Sequence, residues 1–322
     1  MTRVDQPGVK TASGEIAAVL PRRKTTLAQQ QRRWGWIFLS PWIFGFVVFT
    51  AAPIVASLIF TFTDFNLSNS EINFIGFKNW QRLFTDPLAL TALGVTIRFA
   101  ILAVPFGIIL PLGLATLLNS KQLLAKRFFR TLFYMPYIVP VVSTVFIWQS
   151  VLNGQTGWVN RVLEVFGITN APNWLQDENW ILPAFILIGV WGIGNAMLTI
   201  LATMQGVPTE LYEAASVDGA NGWIKWRKIT LPLISPVIFY NLVLSVIGLM
   251  QYFTIPYIIT RGTGQPGQSA FFFNMLLYKT AFTYSDMGYG ATQAWLIFLI
   301  ALGLTVVLFS TARRWVYYAS GE

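Results

Sequence analysis

Thirteen Asp and Glu supply all the side-chain carboxylates of this 322-residue chain, and neither Cys nor His occurs in it. That inventory excludes disulfides, iron–sulfur and haem ligation, thiolate or imidazole zinc sites and every Cys/His nucleophile arrangement. Asp177, Glu178 and Asp286 are candidate acids for a membrane-bound enzyme acting on lipid, but no carboxylate pair stands with a nucleophile or a metal-ligating set, so they read as solvated loop residues. There is no GxxxxGK[ST] phosphate loop, and Gly-rich 261–267 has no Lys-Ser or Lys-Thr behind it. The chain cannot hydrolyse ATP and reads as non-catalytic, with no cofactor or metal of its own. The polar residues that do gather lie in 208–232, PTELYEAASVDGANGWIKWRKITLP. Pro208 and Thr209 precede good helix formers from Glu210 to Ser216, with acid in the first turn as a helix start prefers. Asp218, Gly219 and Ala220 then make a turn, and a second amphipathic piece from Trp223 to Ile229 leads to Leu231 and Pro232. Gly219 permits the turn, and the stretch reads as a short helix, a turn and a second helix lying on the membrane.

The elements around that stretch are apolar. The composition is 55% hydrophobic and 11% charged, where a soluble domain carries roughly 25% charged residues. Apolar blocks long enough to cross a hydrocarbon core about 30 Å thick fall at about 34–62, 90–118, 131–152, 180–204, 232–259 and 292–312. Residues 99–118 are apolar on all sides, which suits a helix and not the strict alternation of a barrel strand. The expected architecture is an all-α membrane protein with six transmembrane helices over 34–312, a leader 1–33, a loop 205–231 and a tail 313–322. Lys and Arg number seven in the leader, four in 119–130, three in 205–231 and two in the tail, against two, one and two in 63–89, 153–179 and 260–291. That bias places both termini in the cytoplasm and the polar loop 205–231 with them. The leader has no apolar core, so it is expected to be a disordered cytoplasmic arm and not a cleavable signal peptide. Net charge +9 is then the topology signal lying against anionic headgroups of the bilayer, not a nucleic-acid site.

Inside the blocks the only charged residue is Arg98, near enough to the outer face to snorkel. A proton-driven carrier would keep a titratable carboxylate or His at depth, and none is present, which counts against an ion-coupled secondary carrier driven by protons. The neutral polar and aromatic residues are Trp191, Gly192, Gly194 and Asn195 in the fourth block and Asn241, Ser245, Gly248, Gln251, Tyr252 and Pro256 in the fifth. They can glue helices together. They also suit a neutral polyhydroxylated ligand, because amides both donate and accept while ring faces cover the apolar face of a sugar.

The spacing Glu213-Ala214-Ala215, three residues, Gly219, nine residues, Ile229, one residue, Leu231-Pro232 resembles the EAA loop of bacterial ABC importer permeases. The likeness extends to NFIGFKNWQRLFTDP (73–87), PYIVPVVSTVFIWQSVLNGQTGWVNRVLEVFG (136–167), NWLQD (173–177), TRGTGQPG (260–267) and YKTAFTYSDMGYGATQAWLIFLIALGLT (278–305), and covers about 35–312. It narrows to the MalF-like subunits of carbohydrate-uptake importers, with Asp218-Gly219-Ala220 and Trp223 in the form of that branch. The resemblance implies the type I importer permease fold in the bacterial plasma membrane. It implies a second, MalG-like permease, two ATP-binding cassette subunits that hold the ATP and Mg, and an external solute-binding protein that delivers a saccharide. It assigns ATPase coupling to Glu213, Ala214, Ala215, Asp218, Gly219 and Trp223, and sets Trp191, Asn195, Gln251 and Tyr252 near the cavity that relatives line. Close relatives also carry glycerophosphodiesters, so that cargo is the alternative. Two departures stand out. The family's Asn-Thr near the start of the second span reads Gly94-Val95-Thr96, and the fifth span carries Met250-Gln251-Tyr252-Phe253 where maltose-type relatives place ligand-contacting Asn, so a maltose-like substrate is not implied.

Overall fold

A computed structural model describes residues 26–69, 71–120 and 122–318. It divides into two units, one ending at Val55 and one beginning at Ala56. The first unit is dominated by α1 (Leu27–Phe60), the helix in which the division falls. A capping box starts α1: the Thr26 hydroxyl accepts from the Gln29 N–H and the Gln29 side chain accepts from the Thr26 N–H. Residues 27–33, expected in a disordered leader, are therefore helical; the earlier part of that leader lies outside the described residues. The helix widens into a π turn at Val47–Ala51, just ahead of Pro53, which has no N–H to offer the carbonyl of Phe49.

The second unit is all helical apart from two isolated bridges, Thr63 to Phe74 and Asn66 to Asp286, among the described residues. Its elements are α2 (Lys78–Thr85), α3 (Pro87–Asn119), α4 (Lys126–Ile138), α5 (Val141–Val151), α6 (Trp158–Val165), α7 (Ile181–Trp191), α8 (Gly194–Gln205), α9 (Thr209–Val217), α10 (Gly222–Lys225), α11 (Ser235–Met250), α12 (Thr254–Thr260), α13 (Phe273–Tyr278) and α14 (Met287–Ala312). Together with α1, the helices Pro87–Asn119, Ser235–Thr260 and Met287–Ala312 are long and apolar enough to cross a bilayer. The remaining two expected spans are each a broken pair, α4 with α5 bent by 104° and α7 with α8 bent by 48°. The sharper break sits at Val139, extended at φ −68° and ψ 128° because Pro140 follows it. The gentler one sits at Gly192-Ile193.

Packing is concentrated in two clusters. One gathers Phe99, Phe185, Phe272, Leu83 and Tyr289 from α3, α7, α14 and the segments near them. The other gathers Ala115, Leu118, Met197, Ile200, Leu201, Met204 and Ile234, toward the end of the unit that bears 205–231. Gly194 makes the join between α4 and α8 possible, since a Cβ there would overlap the Phe133 carbonyl and come 2.8 Å from the Tyr134 Cα.

The opposite end is tied by charge. Asp86 caps α3 by accepting from the Leu88 and Ala89 N–H groups, and Asp286 caps α14 by accepting from the Tyr289 N–H. The Tyr289 hydroxyl donates to Asp86 at 2.8 Å, while Arg82 pairs with Asp286 at 2.7 Å and lies over the Tyr289 ring. Asp286, a candidate acid in the sequence, is engaged as a cap and an ion-pair partner. Thr96, in the segment that departs from the family pattern, is buried and accepts from the Phe273 N–H at 2.9 Å, anchoring the start of α13.

Candidate functional site

Two places gather the residues singled out in sequence. The first is the loop between α8 and α11. After α9 the chain turns through Asp218, Gly219 at φ +76° and Ala220. The Ala220 N–H donates to the Ala215 carbonyl at 2.8 Å and the Gly219 N–H to the Ser216 carbonyl at 3.1 Å, the paired bonds of a Schellman cap. Open space surrounds Gly219, so glycine is required there by conformation alone. Asn221 then caps α10 through the Ile224 N–H at 2.9 Å, and a π turn, Trp226–Thr230, carries the chain toward α11.

The two faces of α9 differ. Tyr212 and Ser216, four apart, turn toward the second piece: the Tyr212 hydroxyl meets Thr230 Oγ1 at 2.8 Å and Lys225 Nζ donates to Ser216 Oγ at 2.6 Å. Trp226 donates from Nε1 to Thr116 Oγ1 of α3 at 3.1 Å and stacks on Trp223 with ring centroids 5.1 Å apart. Glu210, Glu213, Ala214 and Val217 share the other face, at helical spacing, and all are exposed. Val217 is 89% exposed and Trp223 64%, and Glu213 has no ion pair among the described residues. An apolar, acidic ridge thus stands on a base that is hydrogen-bonded to the bundle.

The second place is a cavity of about 380 Å³ between α3, α4, α7, α8 and α11. Phe99, Phe106 and Phe185 form aromatic walls, and the polar groups reaching it are Asn195, Asn241, Ser245, Tyr137 and Tyr252. Among the described residues, no Asp, Glu, Lys or Arg lines it. Asn195 is exposed, with no side-chain hydrogen bond among the described residues. Asn241 is buried and donates to the Val237 carbonyl at 2.8 Å and to Thr199 Oγ1 at 3.5 Å. At one end Tyr252 closes the cavity with Phe99, Phe185 and Phe272, its ring 4.6 Å from that of Phe99 and 5.1 Å from that of Phe272. Its hydroxyl is buried without a partner, a state that costs about 1–3 kcal/mol unless another group satisfies it.

Of the four residues expected beside a cavity, Asn195 and Tyr252 line it, whereas Trp191 and Gln251 do not. Trp191 ends α7 and packs edge-on against Trp148 at 6.0 Å, and Gln251 lies exposed at the end of α11. Asn241 and Ser245 also line the cavity. Both are visible in the sequence as polar residues of an apolar block, and their spacing of four sets them on one helix face. Arg98 is absent from the lining.

Residues 103–320 match the family model described as binding-protein-dependent transport system inner membrane component. The match runs through the tail, past residue 312, where the likeness read from the sequence stops. The chain is 37% identical over 290 residues to the probable ABC transporter permease protein YesP of Bacillus subtilis (strain 168), covering 89% of this chain and 93% of that one. It is 32% identical over 283 residues to the lactose transport system permease protein LacF of Rhizobium radiobacter, covering 87% and 94%. A chain of a bacterial ABC transporter involved in the import of the acidic polysaccharide alginate shares the fold, with a TM-score of 0.76 at 22% identity over 88% of this chain and 96% of that one.

Proposed function

The chain belongs to the binding-protein-dependent transport system inner membrane components, and from that membership we propose that it forms, with a second, MalG-like permease, the pathway by which an ATP-driven importer moves a sugar or oligosaccharide. The cavity carries this reading: Asn, Ser and Tyr residues line a space walled by rings, and no ionised side chain lines it among the described residues. A neutral polyol is matched there on both counts, its hydroxyls by donors and acceptors and its C–H faces by aromatic surface. The lactose permease among the relatives supports the same class. A glycerophosphodiester would call for a cation in the pathway, and Arg98 is not in this lining.

In this reading all six spans cross the plasma membrane, α4 with α5 and α7 with α8 each counting as one, and both termini are cytoplasmic, as the Lys and Arg bias requires. An external binding protein delivers the solute. Two ATPase subunits, which hold the ATP and Mg, lie against the ridge of Glu213, Ala214, Val217 and Trp223. Closure of the ATPase pair draws the ridge, the Schellman turn at Gly219 transmits the pull as a compact unit, and α11, which begins just past the loop, moves the wall bearing Asn241 and Ser245. The subunit itself performs no chemistry.

The test is ATP turnover and solute uptake by the reconstituted assembly, with binding protein, across oligosaccharides and glycerophosphodiesters. Stimulation by a neutral saccharide is expected. Stimulation confined to the phosphodiesters would replace the cargo class, and solute movement by this chain alone without ATP would make it a secondary carrier.

A further inference from the structure

The tail beyond α14 takes no part in the account so far, yet it is fastened to the joint where the loop becomes α11. From Arg313 the chain turns back through bonds from the Trp315 and Val316 N–H groups to the Ala312 carbonyl, at 3.1 and 2.8 Å. The Tyr317 N–H then donates at 2.8 Å to Ser235 Oγ, the first side chain of α11. Ser235 is buried and its hydroxyl donates to the Pro232 carbonyl at 2.6 Å, so one hydroxyl links the tail, the last residues of the loop segment and the helix start. One turn into α11, buried Phe239 is held edge-on between Phe309 of α14 at 4.9 Å and Trp315 of the tail at 5.7 Å. On the loop side, Tyr317 shares a small cavity with Leu211 of α9 and with Lys228, Ile229 and Pro232.

A segment that hydrogen-bonds a helix start and brackets its first turn with two rings fixes the angle at which that helix leaves the loop. We infer that residues 313–318 are a strap that makes α11 and α14 respond as one lever to displacement of the coupling loop, with Trp315 and Tyr317 as positioning residues. Without it, the pull on Glu213 is absorbed by bending at Pro232–Ser235, where Ile234 separates the short helical turn Leu231–Leu233 from α11. This inference rests on the coupling role proposed for the loop.

The experiment uses the full assembly in proteoliposomes and reads solute moved per ATP hydrolysed, together with co-purification of the ATPase. Deletion of 313–322, Trp315→Ala and Ser235→Ala are compared with Glu213→Arg. The strap predicts that each of the first three keeps the ATPase bound and turning over while transport per ATP falls at least about 5-fold, the low end of coupling between sites. Because the chain has no Cys, a Ser235→Cys/Tyr317→Cys pair supplies its only thiols, and oxidation to the disulfide should leave the ratio at its normal value. If the deletion variant does not assemble, the two point variants and the disulfide decide. An unchanged ratio in the assembled variants, or transport abolished by the disulfide, overturns the strap. If Glu213→Arg also leaves the ratio unchanged, the coupling reading itself fails; if it uncouples while the tail variants do not, the strap alone fails.

Discussion

The loop between α8 and α11, proposed to couple to the ATPase, and the mid-bundle cavity are built on opposite terms. The loop's own shape is set by residues close in sequence, a helix of nine residues, a turn closed within six and a cap from Asn221 to Ile224, while Trp226 ties it to Thr116 of α3. Its outer face, Glu213, Ala214 and Val217, is exposed, and Glu213 has no ion pair among the described residues. The cavity draws on five helices from Phe99 to Tyr252, and its polar groups are few and set among rings. A surface meant to meet a protein can be written locally. A surface meant to hold a mobile solute for a moment needs walls that belong to different helices and can separate.

That contrast yields an order of effects. The largest should come from Glu213→Arg, which replaces the acid of the ridge by a bulky cation. Loss of a charge-assisted pair of about 1.5–3 kcal/mol corresponds to roughly 10- to 100-fold, read as lost transport and saccharide-stimulated ATPase activity with the subunit's thermal midpoint unchanged; full coupling in this variant would detach Glu213 from the mechanism. Gly194→Ala should act in the reverse sense. Its methyl overlaps the Phe133 backbone, so the fold loses about 1–3 kcal/mol, the cost of overpacking, and the melting temperature and yield drop whatever the cargo; a normal midpoint would mean that α4 and α8 can part freely. Gly219→Ala has open space but must hold φ +76°, which costs about 1–2 kcal/mol for a residue with a Cβ. Reduced stimulation is expected, with the subunit's stability lowered by no more than that cost, and both are rescued in part by Gly219→Asn, which tolerates that conformation. Asn195→Ala should be the mildest, removing one neutral hydrogen bond of about 0.5–1.5 kcal/mol. Half-saturation for the saccharide in vesicles supplied with excess binding protein should rise a few-fold with basal ATPase activity intact, and an unaltered value would take Asn195 out of the pathway.

The same contrast explains what could be read before the fold was known. Apolar blocks bounded by charge mark the helices because hydrophobic length is a property of the sequence itself. The break at Val139 is marked by Pro140, and the loop's turn by Gly219, since these residues act on their own backbone. The start of α1 at Thr26 was equally local, a Thr-x-x-Gln capping box, and the apolar criterion passed over it. The cavity resisted for a physical reason. α3, α7 and α11 are apolar over most of their surface and lie among lipid and other helices, so hydrophobicity alone does not say which face turns inward, although Asn241 and Ser245 mark one face of α11. Tyr252 and Asn195 line the cavity while Trp191 and Gln251 do not, and all four lie at or just beyond a helix end, where the periodicity of a regular helix no longer predicts the side a residue faces. Asn241 and Ser245 lie within the regular part of α11 and share its inward face.

The central claim is that an ATPase-driven pull on Glu213 reaches a sugar site lined by Asn195 and Asn241. Its most direct test is uptake of radiolabelled neutral oligosaccharide by proteoliposomes containing the complete assembly, with binding protein and ATP, in the unaltered chain and in Glu213→Arg. The account predicts ATP-dependent uptake that collapses in the variant while the ATPase still co-purifies. Uptake that persists without ATP, or that is indifferent to Glu213, would contradict it.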